Sequence, residues 1–141
     1  MEGTMKTAIK DLNFQYLIGV ILVFFIALSL PACVGEQRTF DISIRMPAGE
    51  GIVNGTSAEE VQAKSGTISI TAAVGAPDAN IYLISEGATE GSAKTYICSG
   101  MTVKLDVTRG TWYKIRIEAY GNGTVGYDYG LTVKNVTLRI Q

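Results

Sequence analysis

The sequence predicts an all-β domain behind one hydrophobic N-terminal helix: an antiparallel two-sheet β-sandwich, jelly-roll-like, of about eight strands. Three observations lead there. Beyond residue 38, apolar and polar residues alternate with period two in several short stretches, as half-buried strands require. Glycine-containing turns separate these stretches at short, even spacing, with no βαβ pattern among them. Ahead of them, Leu17 to Leu30 is an apolar run without a charge, a feature that a small soluble domain does not need.

As a helix, Leu17 to Leu30 covers about 21 Å, short of a hydrocarbon core of about 30 Å and suited to the apolar region of a signal peptide. With Phe14 to Tyr16 and Pro31 to Val34 included, it reaches roughly 30 Å and spans. Lys6 and Lys10 precede the run and Asp11 offsets them only in part, so in both readings the N-terminus stays cytoplasmic and the rest is exported. The chain thus divides into a cytoplasmic region 1–13, a signal or anchor helix 14–33, a tether 34–38 and an extracytoplasmic domain 39–141.

Taking the domain in order, Phe40, Ile42, Ile44 and Met46 alternate with Asp41, Ser43 and Arg45 as a strand that Pro47 ends. Residues 48–65 are the most irregular part, where the Ser57-x-x-Glu60 spacing predicts either a loop excursion or a short helix through Lys64. Ile68, Ile70, Ala72 and Val74 mark the next strand, Gly75 to Asp78 a turn, and Asn80 to Ser85 another core strand. After a small-residue loop, Lys94 to Cys98 is a weaker strand, and Met101, Val103, Leu105 and Val107 form a further one. Tyr113, Ile115, Ile117 and Ala119 share one face of the longest strand, opposite Trp112, Lys114, Arg116, Glu118 and Tyr120. Asn122-Gly123 predicts a hairpin that returns through Tyr127, Tyr129, Leu131 and Val133, because Asn-Gly takes the positive φ angles of a primed turn. Val136, Leu138 and Ile140 close the chain in a strand.

Three stretches resemble known families. Ser29-Leu30-Pro31-Ala32-Cys33 is similar to the bacterial lipobox at Leu30, Ala32 and Cys33, though Pro31 departs from it; the resemblance implies lipidation at Cys33, and otherwise Cys33 marks the end of a transmembrane helix. Ile18 to Val23 is similar in texture to the helices of archaeal pilins, without their basic-residue-then-Gly processing site; this implies a filament subunit as the alternative role. Asn80-Ile81-Tyr82-Leu83, Gly110-Thr111-Trp112-Tyr113 and Tyr129-Gly130-Leu131-Thr132-Val133 resemble motifs of bacterial pre-peptidase C-terminal domains. Those are small jelly rolls on secreted proteins, some of which bind Ca²⁺. Asn80 replaces that family's usual Asp, Gly130 interrupts its last motif, and no peptidase precedes the domain.

The formal charge of −1, with both signs interspersed, argues against a nucleic-acid surface. The chain has no histidine, which removes Ser-His-Asp and Cys-His catalysis and argues for a non-enzymatic role. Of the two cysteines, Cys33 lies at the membrane boundary and Cys98 in an apolar run that suits a buried thiol, although an exported pair is also able to bridge. No cofactor is expected: Asp78, Asn80, Glu86 and Glu90 are the candidate Ca²⁺ ligands but show no fixed ligand spacing, and Glu59 and Glu60 suit the first turn of the short helix. Trp112, Tyr120 and Tyr127 are the candidate platform for a glycan or a partner protein, or else cover the sheet. Asn54, Asn122 and Asn135 head glycosylation sequons, relevant where the export pathway glycosylates. The partners expected are therefore the lipid membrane, an envelope protein or glycan, or further copies of the chain.

Overall fold

A computed structural model describes residues 38–121 and 123–141. The helix expected at 14–33, with Cys33, and the turn residue Asn122 lie outside the described residues. Among the described residues, no helix is long and apolar enough to cross a membrane.

The described chain is all-β, with nine strands: β1 (Thr39–Met46), β2 (Ile52–Ala63), β3 (Thr67–Ala72), β4 (Ala79–Ser85), β5 (Thr95–Ile97), β6 (Thr102–Asp106), β7 (Trp112–Tyr120), β8 (Tyr127–Lys134) and β9 (Val136–Ile140). They form two antiparallel sheets, a four-stranded one in the order β1-β8-β3-β6 and a five-stranded one in the order β5-β4-β7-β2-β9. The period-two pattern explains the layering, since each strand offers one apolar row and two such rows bury each other when the sheets stack. Ile42, Ile44 and Met46 on β1, Ile68 and Ile70 on β3, Ile115 and Ile117 on β7, and Tyr129, Leu131 and Val133 on β8 supply much of the core. Their outward neighbours Asp41, Ser43, Lys104 and Thr102 stay exposed.

Two expectations change. Residues 57–63 belong to β2 and form no helix, because β2 is paired on both sides, with β7 and with β9. A break in the β2–β7 register between Thr56 and Glu60 absorbs the irregular residues. There the Ser57 hydroxyl accepts the Ile115 amide at 3.0 Å and donates to the Glu59 carbonyl at 2.7 Å, so the residue read as a helix cap satisfies a strand amide instead. Glu60 is accordingly buried, at 4% exposure, and does not lie in a solvated turn. The second change concerns Asn122-Gly123: β7 pairs with β2 and β4, while β8 pairs with β1 and β3, so the link 121–126 carries the chain between sheets and makes no hairpin. Each strand must bury its own apolar row, and for β7 and β8 those rows face each other across the core.

Close approach of the sheets requires a missing side chain at Gly55. A Cβ there would lie 2.6 Å from Met46 Sδ, 2.7 Å from Ile44 Cγ2 and 2.8 Å from the Arg45 carbonyl oxygen. Gly55→Ala is expected to destabilise the domain by about 1–3 kcal/mol through overpacking, read as a lower urea midpoint at unchanged slope.

Candidate binding surface

The strand registers sort the loops into two ends. Met46 pairs with Tyr127, Ile52 with Tyr120, Ala79 with Ala119 and Ile97, and Thr71 with Thr102. The loops 47–51, 73–78, 98–101 and 121–126 therefore gather at one end. The chain enters β1 at the other, where Thr39 pairs with Lys134. Of the seven large apolar side chains that are exposed among the described residues, six lie at or beside the four-loop end: Ile52, Val74, Tyr96, Met101, Tyr120 and Val125. The four loops contain the acids Glu50 and Asp78 and no lysine or arginine, whereas the opposite end carries both signs, Lys64, Arg109 and Lys134 along with Glu86 and Asp106.

Backbone bonds tie these loops to one another. Gly121 N donates to Gly51 O at 2.8 Å and Gly123 N to Gly49 O at 3.0 Å, and a Cβ on Gly121 would sit 2.1 Å from that Gly49 oxygen. The Tyr129 hydroxyl donates to Pro77 O at 2.9 Å, and Gly75 N donates to Ser99 Oγ at 2.8 Å. Burial pushes the Tyr129 hydroxyl up to about 12, so it remains a donor at neutral pH.

Beside these loops, on the outer face of the five-stranded sheet, lies an open depression of about 160 Å³. Asn80 and Glu118, paired on β4 and β7, line it, and the chain at Ala79 and Ala119, whose side chains belong to the core, borders it. Tyr96 of β5 borders it on one side, Tyr120 and Ile52 on the other, and Asp78 at the loop. A hydrogen bond to Asp78, then burial, pushes the Tyr96 hydroxyl up to about 12. Glu118 is occupied from the far side: Lys94 Nζ donates to its Oε2 at 2.7 Å, and that bond holds its carboxyl below the usual glutamate range. Lys94 also lies 5.6 Å from the ring centroid of Tyr82, whose face is covered further by Gly91.

The candidate sites distribute unevenly over this geometry. Tyr120 borders the depression and Tyr127 braces it, its hydroxyl donating to Tyr120 O at 3.3 Å. Trp112 stands eight residues from Tyr120 along β7, roughly 27 Å away at strand rise. There it stacks under Arg139, whose guanidinium carbon lies 4.2 Å from the ring centroid and which also binds Glu60 and Glu86. The three expected aromatics thus form no single platform. Sequence reasoning missed Tyr96 and Ile52; the available signal was that both sit at the loop-end of their strands, but only the pairing of β5 with β4 and of β2 with β7 places them beside Tyr120.

The Ca²⁺ candidates are likewise divided: Asp78 and Asn80 sit at the start of β4 and Glu86 just past its end, roughly 20 Å from Asn80 at strand rise, while Glu90 lies on the loop that turns back beside Tyr82 and Leu83. Among the described residues, no group of three or more His, Cys, Asp or Glu side chains is placed to hold a metal. Asn54 is exposed on β2, its Oδ1 accepting from the Tyr82 hydroxyl at 3.4 Å. Asn135 alone links β8 to β9 with φ of 64°, a left-handed conformation that asparagine tolerates better than most residues. Cys98 is a half-buried free thiol with Sγ 3.9 Å from Met101 Sδ. No protein family, curated protein or solved structure matches the chain.

The Lys94–Glu118 pair has a defined pH dependence. With the Glu118 pKa depressed, its contribution to stability is full above the ordinary glutamate range and is lost as pH falls through the depressed value. A carboxyl-carbon NMR titration should give Glu118 a midpoint below 4.5, and Lys94→Ala should move that midpoint upward.

Proposed function

We propose that the chain is an exported, membrane-anchored, non-enzymatic β-sandwich that serves as a binding module of the cell envelope. The observation that carries this reading is the gathering of exposed apolar side chains at the loop end, opposite the point where the chain enters the sandwich. Exposed apolar side chains that collect at one end of a domain, three of them (Ile52, Tyr96 and Tyr120) around one depression, fit an interaction site.

Three further features support the reading. The run Leu17 to Leu30 after Lys6 and Lys10 fits an exported chain. The order β1-β8-β3-β6 against β5-β4-β7-β2 is that of a jelly roll to which β9 is added, in keeping with the resemblance of residues 80–133 to pre-peptidase C-terminal domains. The lack of histidine agrees with a non-enzymatic role. A filament subunit is the second reading, favoured by the similarity of Ile18 to Val23 to archaeal pilin helices.

In cells making the full chain, the protein should sediment with membranes, and protease added outside the cytoplasmic membrane should digest the β-domain. Recovery of an intact chain in the cytosolic fraction would contradict the proposal.

A further inference from the structure

We propose that the depression between Tyr96 and Tyr120 is a subsite for a neutral saccharide, whose hydroxyls bond Asp78 and Asn80 and whose C–H faces rest on the tyrosine rings. This deepens the binding-module reading and rests on it. The register supplies the geometry. Tyr96 pairs with Asn80 on β4, and Asn80 with Glu118 on β7, two residues before Tyr120. The two tyrosines are therefore two strand spacings apart across the sheet and two residues apart along it, roughly 12 Å, with the start of β4 between them. Both are exposed, at 51% and 73%, so neither ring is needed by the core.

The polar groups select the ligand. Asp78 presents an exposed carboxylate that accepts from the Tyr96 hydroxyl and keeps further lone pairs for hydroxyl donors, and Asn80, which donates to Glu118, offers its remaining N–H and its carbonyl oxygen. Glu118 is already paired with Lys94, so it does not add a second free negative charge. None of the four adjoining loops contains lysine or arginine, which disfavours phosphate, sulfate and uronate ligands. Two aromatic faces beside an acceptor-rich floor match the amphipathic build of a sugar ring, apolar on its C–H faces and hydroxylated at its rim. At about 160 Å³ the depression is below the usual size of small-molecule pockets, roughly 300–1,000 Å³, and suits one ring of a longer glycan. A single ring held this shallowly should have a Kd on the order of 1 mM.

The test is saturation-transfer difference NMR on the full chain in lipid nanodiscs, with glucose, galactose, mannose and N-acetylglucosamine as separate probes and Nα-acetyl-lysine amide as the cationic competitor. The expected result is transfer to the ring protons of at least one sugar. Tyr120→Ala should reduce it about tenfold or more, Asp78→Ala should weaken it, and Trp112→Ala should leave it unchanged. Tyr96→Phe, which keeps the ring, should retain most of the signal. Absence of transfer to all four sugars, or transfer indifferent to Tyr120→Ala, overturns the proposal. A preference for the lysine amide also overturns it, assigning the depression to a basic peptide through cation–π and carboxylate contacts. Failure here with the β-domain still outside the membrane removes the saccharide alone, whereas a cytosolic chain removes the underlying reading.

Discussion

Burial of two apolar faces against each other is the constraint on which the rest of this domain depends. Sheets packed face to face lie about 10 Å apart, so each strand must commit one row of side chains to the gap. Most consecutive strands fall in opposite sheets, and the connections between them are therefore forced to the two ends of the sandwich. Gly55 shows how tight this closure is, since its inward position touches both side chains and backbone of β1. Collecting four loops at one end is a consequence of the core and not a separate device.

The outer face of the five-stranded sheet is then divided along its length. Toward the end where the chain enters, Arg139 lies on Trp112 and binds Glu60 and Glu86, which fastens the short last strand to its neighbours. In the middle, Tyr82 is covered by Lys94 and Gly91, and the Lys94–Glu118 pair closes the surface. Only past Glu118 does the face open, into the depression beside Tyr96 and Tyr120. Where side chains cover one another fully, a ligand has little to gain; at the open end the rings of Tyr96 and Tyr120 stay exposed, beside the Asp78 carboxylate that accepts from the Tyr96 hydroxyl.

Much of the fold was legible in local periodicity. The alternation in Phe40 to Met46, Ile68 to Ala72 and Tyr113 to Ala119 reports which face is buried, and burial in a sandwich is a period-two property. What failed was nonlocal. Ser57 to Glu60 carries a helix-start spacing, yet pairing on both edges of β2 overrides it. Asn122-Gly123 carries a hairpin spacing, yet the strands on either side pair in different sheets. The site was only half legible for the same reason: Tyr120 and Asp78 could be singled out by type, but Tyr96 joins them, and Trp112 leaves them, through registers that no short stretch encodes.

The central claim is that the four-loop end is the face that meets a ligand. Site-specific photo-crosslinking in intact cells tests it most directly, with the photoreactive side chain placed at Val125 at that end and, in a second variant, at Lys64 at the opposite one. The account predicts adducts to envelope material from position 125 and none from position 64. Adducts from position 64 alone would contradict it and move the functional surface to the end where the chain enters the sandwich.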